Sequence, residues 1–257
     1  MTFAKKMNNK GRNIVKKYPQ LFPLFRSLKI LFFTKHHFSW WGSKMIEKYY
    51  IKKFSRIYFG TEGKYQRWQE TTWLGVSALK LPSDMWVYQE IVYEVKPDII
   101  IETGSMYGGS ALFLATICDI NKKGKIISID INRKKDFPKH ERIKFLTGSS
   151  TDKKTIDELK KDIGVNQKII VILDSDHSKE HVLKELEIYN EFVSKDSYLI
   201  VEDTAINNHP ILPNFGEGPW EAVEEFLKTH HNFVIDKNKE KFLLTWNPNG
   251  YLKKIND

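Results

Sequence analysis

From Pro97 onward the chain repeats one pattern: a short, almost wholly apolar run, a glycine or an acid at its end, then a segment of helical periodicity. The runs are Asp98–Glu102 (DIIIE), Lys125–Asp130 (KIISID), Arg142–Thr147 (RIKFLT), Lys168–Leu173 (KIIVIL) and Ser197–Val201 (SYLIV). Runs this continuously apolar suit strands covered on both faces, and hence a parallel sheet with helices on each side. Ser110–Asp119, Thr151–Ile163, His177–Val193 and Trp220–Thr229 supply the helices. The end reads as an antiparallel hairpin, with strands at Asn232–Ile235 and Lys241–Trp246 and a turn over Asp236–Glu240. The expected fold class is therefore α/β, mostly parallel, with a C-terminal antiparallel hairpin. In such sheets ligands bind beyond the carboxyl ends of the strands, at the point where the strand order reverses.

The N-terminal third is chemically different. The whole chain of 257 residues carries a formal charge of +9. Residues 1–80 hold 17 Lys+Arg against 3 Asp+Glu, a balance of +14, and the remainder holds 24 against 29, a balance of −5. One α/β domain over residues 81–257 with a basic, aromatic-rich helical extension over 1–80 is the expected organisation. The apolar stretch Leu21–Phe33 is 13 residues long and is interrupted by Pro23, Arg26 and Lys29, too short and too polar for a spanning helix. An amphipathic helix fits it better, packed on the domain, on a sister subunit in a homo-oligomer, or against an anionic membrane surface. The single cysteine, Cys118, excludes an intrachain disulfide and CxxC chemistry, and a cytoplasmic setting, with contact at the inner membrane face as an option, is the expectation.

Chemistry-bearing residues gather where the sheet predicts them. Gly104, Gly108 and Gly109 in Glu102-Thr103-Gly104-Ser105-Met106-Tyr107-Gly108-Gly109-Ser110 allow a sharp turn and close approach of a cofactor. The spacing is neither GxGxxG nor a P-loop, which suits a nucleoside cofactor without a tightly gripped pyrophosphate. Asp130, followed by Ile131, closes the second run, where a carboxylate can accept both ribose hydroxyls. Asp174-Ser175-Asp176-His177 follows the fourth run and Glu202-Asp203 the fifth. If those strands are neighbours, Asp174, Glu202 and Asp203 converge, and oxygen ligands of this kind suit Mg²⁺. Asp176 is instead expected to cap the next helix.

Two other readings are weaker. His177-Ser178-Lys179-Glu180-His181 matches the H-x-x-E-H zinc pattern, but its first histidine directly follows a buried strand rather than lying within a helix. No histidine is followed two residues later by an acid, as an iron facial triad would need. The long stretch Thr204–Pro219 sits where an active-site lid would be, with Asn207, Asn208, His209 and Glu217 as acceptor contacts.

Together these residues resemble the cephalosporin hydroxylase (CmcI-like) family. The resemblance runs through Trp73-Leu74-Gly75, Pro82-Ser83-Asp84-Met85-Trp86-Val87-Tyr88-Gln89-Glu90, the glycine turn, Asp174-Ser175-Asp176-His177 and Glu202-Asp203-Thr204. It continues through Gly218-Pro219-Trp220-Glu221-Ala222-Val223 and Phe242-Leu243-Leu244-Thr245, covering roughly Thr72 to Lys254. It implies a Rossmann-like class I S-adenosylmethionine (SAM) methyltransferase fold and O-methylation, in relatives that include sugar methyltransferases. It further implies a Mg²⁺ site at Asp174, Glu202 and Asp203. The SAM contacts it implies are Glu102, Gly104, Ser110, Asp130 and the Gly148-Ser149-Ser150 turn, with Ser105, Gly109, Ile131 and Asp174 alongside them. In related catechol-type enzymes a lysine base lies three residues after the metal aspartate; His177 holds that place here. The expected activity is thus SAM- and Mg²⁺-dependent O-methylation of a saccharide or other small hydroxylated metabolite, with His177 as base. Two alternatives are a nucleic-acid-binding or RNA-modifying protein using the basic segment, disfavoured by the acidic site, and a catalytically silent scaffold.

Overall fold

The computed structural model describes residues 40–61, 65–132 and 137–256, with side chains from residue 44. The Leu21–Phe33 expectation lies outside the described residues. The chain divides into two compact units, Met1–Tyr50 and Ile51–Asp257. Helix α1, Trp40–Phe59, runs from the first into the second. In the first unit it exposes Met45, Ile46, Tyr49 and Tyr50.

The second unit is built on a seven-stranded sheet. A short hairpin, β1 (Thr72–Trp73) and β2 (Val76–Ser77), stands apart from it. The sheet strands are β3 (Ile99–Thr103), β4 (Lys125–Asp130), β5 (Ile143–Thr147), β6 (Ile169–Leu173), β7 (Tyr198–Val201), β8 (Phe233–Ile235) and β9 (Tyr251–Lys254). Their order is β5-β4-β3-β6-β7-β9-β8, parallel through β7 and antiparallel where β9 meets β7 and β8. Strand order reverses between β3 and β6, which makes the carboxyl ends of these two strands the switch point.

The continuous apolar runs are explained by burial on both faces. Ile99, Ile101, Ile127, Ile129, Val171 and Leu173 enter one core. Ile100, Ile126, Ile170, Ile172 and Ile200 enter the core on the opposite face, so side chains alternate with the period of a strand. Helices α2 (Pro82–Val95) and α3 (Gly109–Ile120) lend their buried residues to that second core. The first core receives α4 (Lys153–Lys160), α5 (Lys179–Tyr189) and α6 (Pro219–Phe226). In α2, Val87, Tyr88, Ile91, Val92 and Val95 form the one-sided stripe of a half-buried helix.

Two expectations change here. Residues 51–80 do not belong to the N-terminal extension; they lie in the same compact unit as the sheet. Trp73 explains why: its ring meets Phe113 edge-on at 4.8 Å and its Nε1 donates to Thr116 Oγ1 at 3.0 Å. The partner of β8 is β9 at Tyr251–Lys254 rather than Lys241–Trp246. Residues 241–246 instead cross the start of α2, where Ser83 Oγ donates to the Leu244 carbonyl at 2.6 Å. Trp246, 6% exposed, donates its amide to Asp84 there.

Candidate active site

The carboxyl ends of the parallel strands open on a cavity of about 760 Å³ within the second unit. On its cofactor half, Gly104 follows β3 with φ +87°, and a Cβ there would lie 1.8 Å from the Asp174 carbonyl oxygen. Only glycine permits that turn. Gly109 is equally constrained, since its Cβ would meet the Ser77 carbonyl at 2.2 Å. Ser105 is buried, and its hydroxyl lies 2.6 Å from Ser128 Oγ. Ser128 is the cross-strand partner of Glu102 and donates to its Oε2 at 2.6 Å. Burial raises the Glu102 pKa, and its second oxygen, Oε1, has no hydrogen-bond partner.

Asp130 ends β4 at the cavity wall. Its Oδ2 accepts from the Met106 amide at 2.9 Å and its Oδ1 from the Asn132 amide at 2.8 Å, so the carboxylate is oriented by the backbone on both sides. Ile131, 66% exposed, presents an apolar surface beside it. Ser149 and Ser150 line the same cavity after β5, as do Ser105, Gly109 and Ser110.

The other half is acidic. Asp174 directly follows β6, and Asp203 follows β7 in a left-handed conformation, φ 55°. Single ligand-capable atoms of Asp174, His177 and Asp203 lie within 4.8 Å of one another. His177 Nε2 stands 3.2 Å from Asp203 Oδ2. Burial raises the Asp203 pKa, and His177 beside it partly opposes the shift. Glu202 does not line the cavity; it is 6% exposed, and its Oε1 accepts from Lys80 Nζ at 2.6 Å. The same ammonium contacts Asp174. Burial pushes the Glu202 carboxyl well up, with Asp174 adding to the shift and Lys80 opposing it. Burial alone would lower the Lys80 pKa, but Asp174 and Glu202 outweigh it and the pKa is raised.

The structure thus brings Gly104, Ser105, Gly109, Ser110, Asp130, Ile131, Ser149, Ser150, Asp174, His177 and Asp203 to one cavity, and leaves Glu102 and Glu202 behind its wall. Asp176 does not cap α5; Ser178 holds the cap position, and Asp176 accepts from its amide at 2.8 Å. His181 turns from His177 toward Glu185 (3.6 Å) and Ser150 (3.2 Å), so the two histidines of the zinc-like pattern do not converge. None of Asn207, Asn208, His209 and Glu217 lines the cavity. Asn207 and His209 bond Glu221, and Glu217 pairs with Lys179. The loop is drawn inward because Ala205, Ile206 and Ile211 bury against Leu81 and Trp246. Lys80 was missed; its signal was a lone charge within Val76–Leu81 (VSALKL).

A CmcI structure without ligand superposes with TM-score 0.58 at 20% identity, covering 74% of this chain and 78% of that one. A second, with Mg and SAM, gives 0.57 at 19%, covering 73% and 78%. These likenesses show the fold. A rhamnosyl O-methyltransferase of Mycobacterium tuberculosis is 42% identical over 194 residues, 72% of this chain and 78% of that protein. One of Mycobacterium leprae is 39% identical over 194 residues, covering 72% and 83%. The family model for rhamnosyl O-methyltransferase/CmcI matches residues 65–255, spanning both halves of the cavity. The chain belongs to the rhamnosyl O-methyltransferase/CmcI family.

Proposed function

We propose that this chain transfers the methyl group of SAM to a hydroxyl of a saccharide, with Mg²⁺ bound at the acidic strand ends. The observation that carries the reading is the meeting, in one cavity, of a glycine turn with a ribose-type acid and a cluster of carboxylates beside a histidine. The saccharide acceptor is supported by the relatives, which carry the name rhamnosyl O-methyltransferase.

The donor set fits the metal. Asp174 and Asp203 offer hard oxygen atoms within 4.8 Å of each other, the ligand type that Mg²⁺ prefers. Those two residues would hold it, while Glu202, paired with Lys80 behind the cavity wall, lies outside the cluster. Mg²⁺ held there would supply Lewis acidity, easing loss of the acceptor hydroxyl's proton. The chain's own residues do the rest. Gly104 and Gly109 let the cavity-lining turn pack directly against the Asp174 and Ser77 backbone, and Asp130 is held by two amides in position to accept the ribose hydroxyls. His177 Nε2 takes the acceptor proton, and Asp203, 3.2 Å away, stabilises the resulting imidazolium. SAM held beside Asp130 would supply an electrophilic methyl carbon to the acceptor oxygen, the C–O bond forming as the C–S bond breaks and S-adenosylhomocysteine departing as a neutral thioether. The test is transfer of a labelled methyl from SAM to a panel of rhamnosides and other glycosides, with Mg²⁺ and with EDTA. Labelled glycoside only in the Mg²⁺ arm is expected; no transfer, or transfer indifferent to EDTA, contradicts the reading.

Among the described residues no helix is long and apolar enough to cross a membrane. Peripheral contact with an anionic membrane is favoured by the first unit, where α1 exposes Met45, Ile46, Tyr49 and Tyr50 among Lys44 and Lys48. Sedimentation with phosphatidylglycerol vesicles is expected and should weaken when Tyr49 and Tyr50 are replaced by serine. Dimerisation through the same helix, with no vesicle binding, would replace the membrane by a second copy of the chain.

A further inference from the structure

Lys80 reaches the acid cluster from outside the strand ends. It lies between β2 and α2, directly after Leu79, whose φ of 49° is a conformation that a branched side chain seldom adopts. Its side chain is 5% exposed. Its ammonium meets the carboxylates of both Asp174 and Glu202, and Glu102 adds a third negative charge to its surroundings. A buried ammonium without a carboxylate partner is strongly unfavourable, and so is a cluster of buried carboxylates without a cation. In the chain as it stands, each supplies what the other requires.

A divalent cation at Asp174 would seek the same carboxylate oxygens. The geometry points to Lys80 as a built-in competitor of that cation: its ammonium neutralises Asp174 and Glu202 when metal is absent, and metal entering the cluster must take Asp174 from it. This rests on the metal-assisted reading above and goes beyond it. It assigns to a residue of this chain the task of keeping the acid cluster folded without metal and of making metal binding weak and readily reversed. Asp203 is turned toward His177 rather than Lys80, and so remains the first carboxylate open to an incoming cation.

The test is calorimetric titration of MgCl₂ and MnCl₂ into the full-length protein, without SAM or acceptor, for the wild type, Lys80→Met and Lys80→Arg. Lys80→Met is expected to bind Mg²⁺ at least tenfold more tightly, because a positive charge beside the ligands is gone. Lys80→Arg should stay within about threefold of the wild type, since the charge is kept. Melting curves in EDTA and in Mg²⁺ give a second readout. Lys80→Met should melt lower than the wild type in EDTA and recover more on addition of Mg²⁺. Unchanged or weaker Mg²⁺ binding by Lys80→Met, in a wild type that does bind the metal, would overturn the competitor role while leaving the metal site standing. If neither protein binds Mg²⁺ or Mn²⁺ at millimolar concentration, the metal-assisted reading falls, and the competitor role with it. Should Lys80→Met fail to fold in EDTA, Lys80→Gln takes its place. Folding rescued by Mg²⁺ supports the proposal, and folding indifferent to Mg²⁺ contradicts it.

Discussion

The two halves of the cavity are made by different means. On the β3–β4–β5 side the chain uses its own backbone: glycines that leave room, and amides of Met106 and Asn132 that hold Asp130. The partners that hold Asp130 there are main-chain amides, one two residues on and one in the loop after the neighbouring strand β3. On the β6–β7 side the working groups are side-chain charges, steadied by residues far away in sequence. Lys80 meets Asp174 and Glu202 across 94 and 122 positions. Asn247 Oδ1 accepts from the Asp203 amide, while its Nδ2 donates to Tyr88. The cofactor half is thus a property of local backbone shape, and the acidic half a property of the assembled fold. Substitutions should therefore separate binding of SAM from the chemistry of the acceptor.

Gly104 is the place where the halves touch, so Gly104→Ala should be the most damaging change. A methyl group 1.8 Å from the Asp174 carbonyl has nowhere to go. Loss of SAM binding and of turnover together is expected, with unfolding in urea easier by about 2–4 kcal/mol. Retention of either activity would mean that the halves are less closely joined than the geometry shows. His177→Ala comes next and should act on one half alone. Turnover should fall about 10²–10⁴-fold, the usual contribution of a general base, while SAM affinity by calorimetry stays within about twofold. Equal losses in both would break the division of labour.

Asp130→Asn is the converse test. Losing a charged acceptor of the ribose hydroxyls should weaken SAM roughly ten- to hundredfold and leave Mg²⁺ affinity unaltered. The smallest effect on turnover is expected from Asp84→Asn, behind the acidic half. Asp84 accepts from the Trp246 amide and the Tyr251 hydroxyl, both at 2.9 Å, and burial pushes its pKa up to about 6. A carboxyl whose folded pKa is raised takes up a proton more readily in the fold. Its stabilising contribution is full below pH about 4 and is lost as pH rises through about 6. The wild type should therefore lose on the order of 1–3 kcal/mol relative to Asp84→Asn between pH 4 and 7, read from urea unfolding at each pH. A constant difference across that range would place the ionised carboxylate comfortably in its site.

The same contrast decides what was legible before the structure. The central strands β3, β6 and β7 stand where the apolar pattern puts them, because burial on both faces leaves its mark in each residue, whereas the edge strand β5 buries only Leu146. Asp130 and the glycine turn were legible because each follows an apolar run directly, where the sheet places its ligand site. Lys80 was not: nothing in VSALKL says which acids an inward-turned lysine will meet. The β9 strand was missed because Lys241–Trp246 (KFLLTW) is the more apolar run, whereas Tyr251–Lys254 (YLKK) ends in two lysines. Only the pull of Asp84 and the small core around Trp246 decides between them. The supposed lid was misread likewise. The expectation rested on the loop's length and its place after Glu202-Asp203, and neither reveals that Ala205, Ile206 and Ile211 anchor it.

The most direct test of one cavity serving both halves is an anomalous diffraction map from crystals grown with S-adenosylhomocysteine and MnCl₂. The nucleoside ribose should lie on Asp130, and a manganese peak should fall between Asp174 and Asp203 in the same cavity. A nucleoside bound away from Asp130, or manganese found only at sites remote from those two carboxylates, would contradict it.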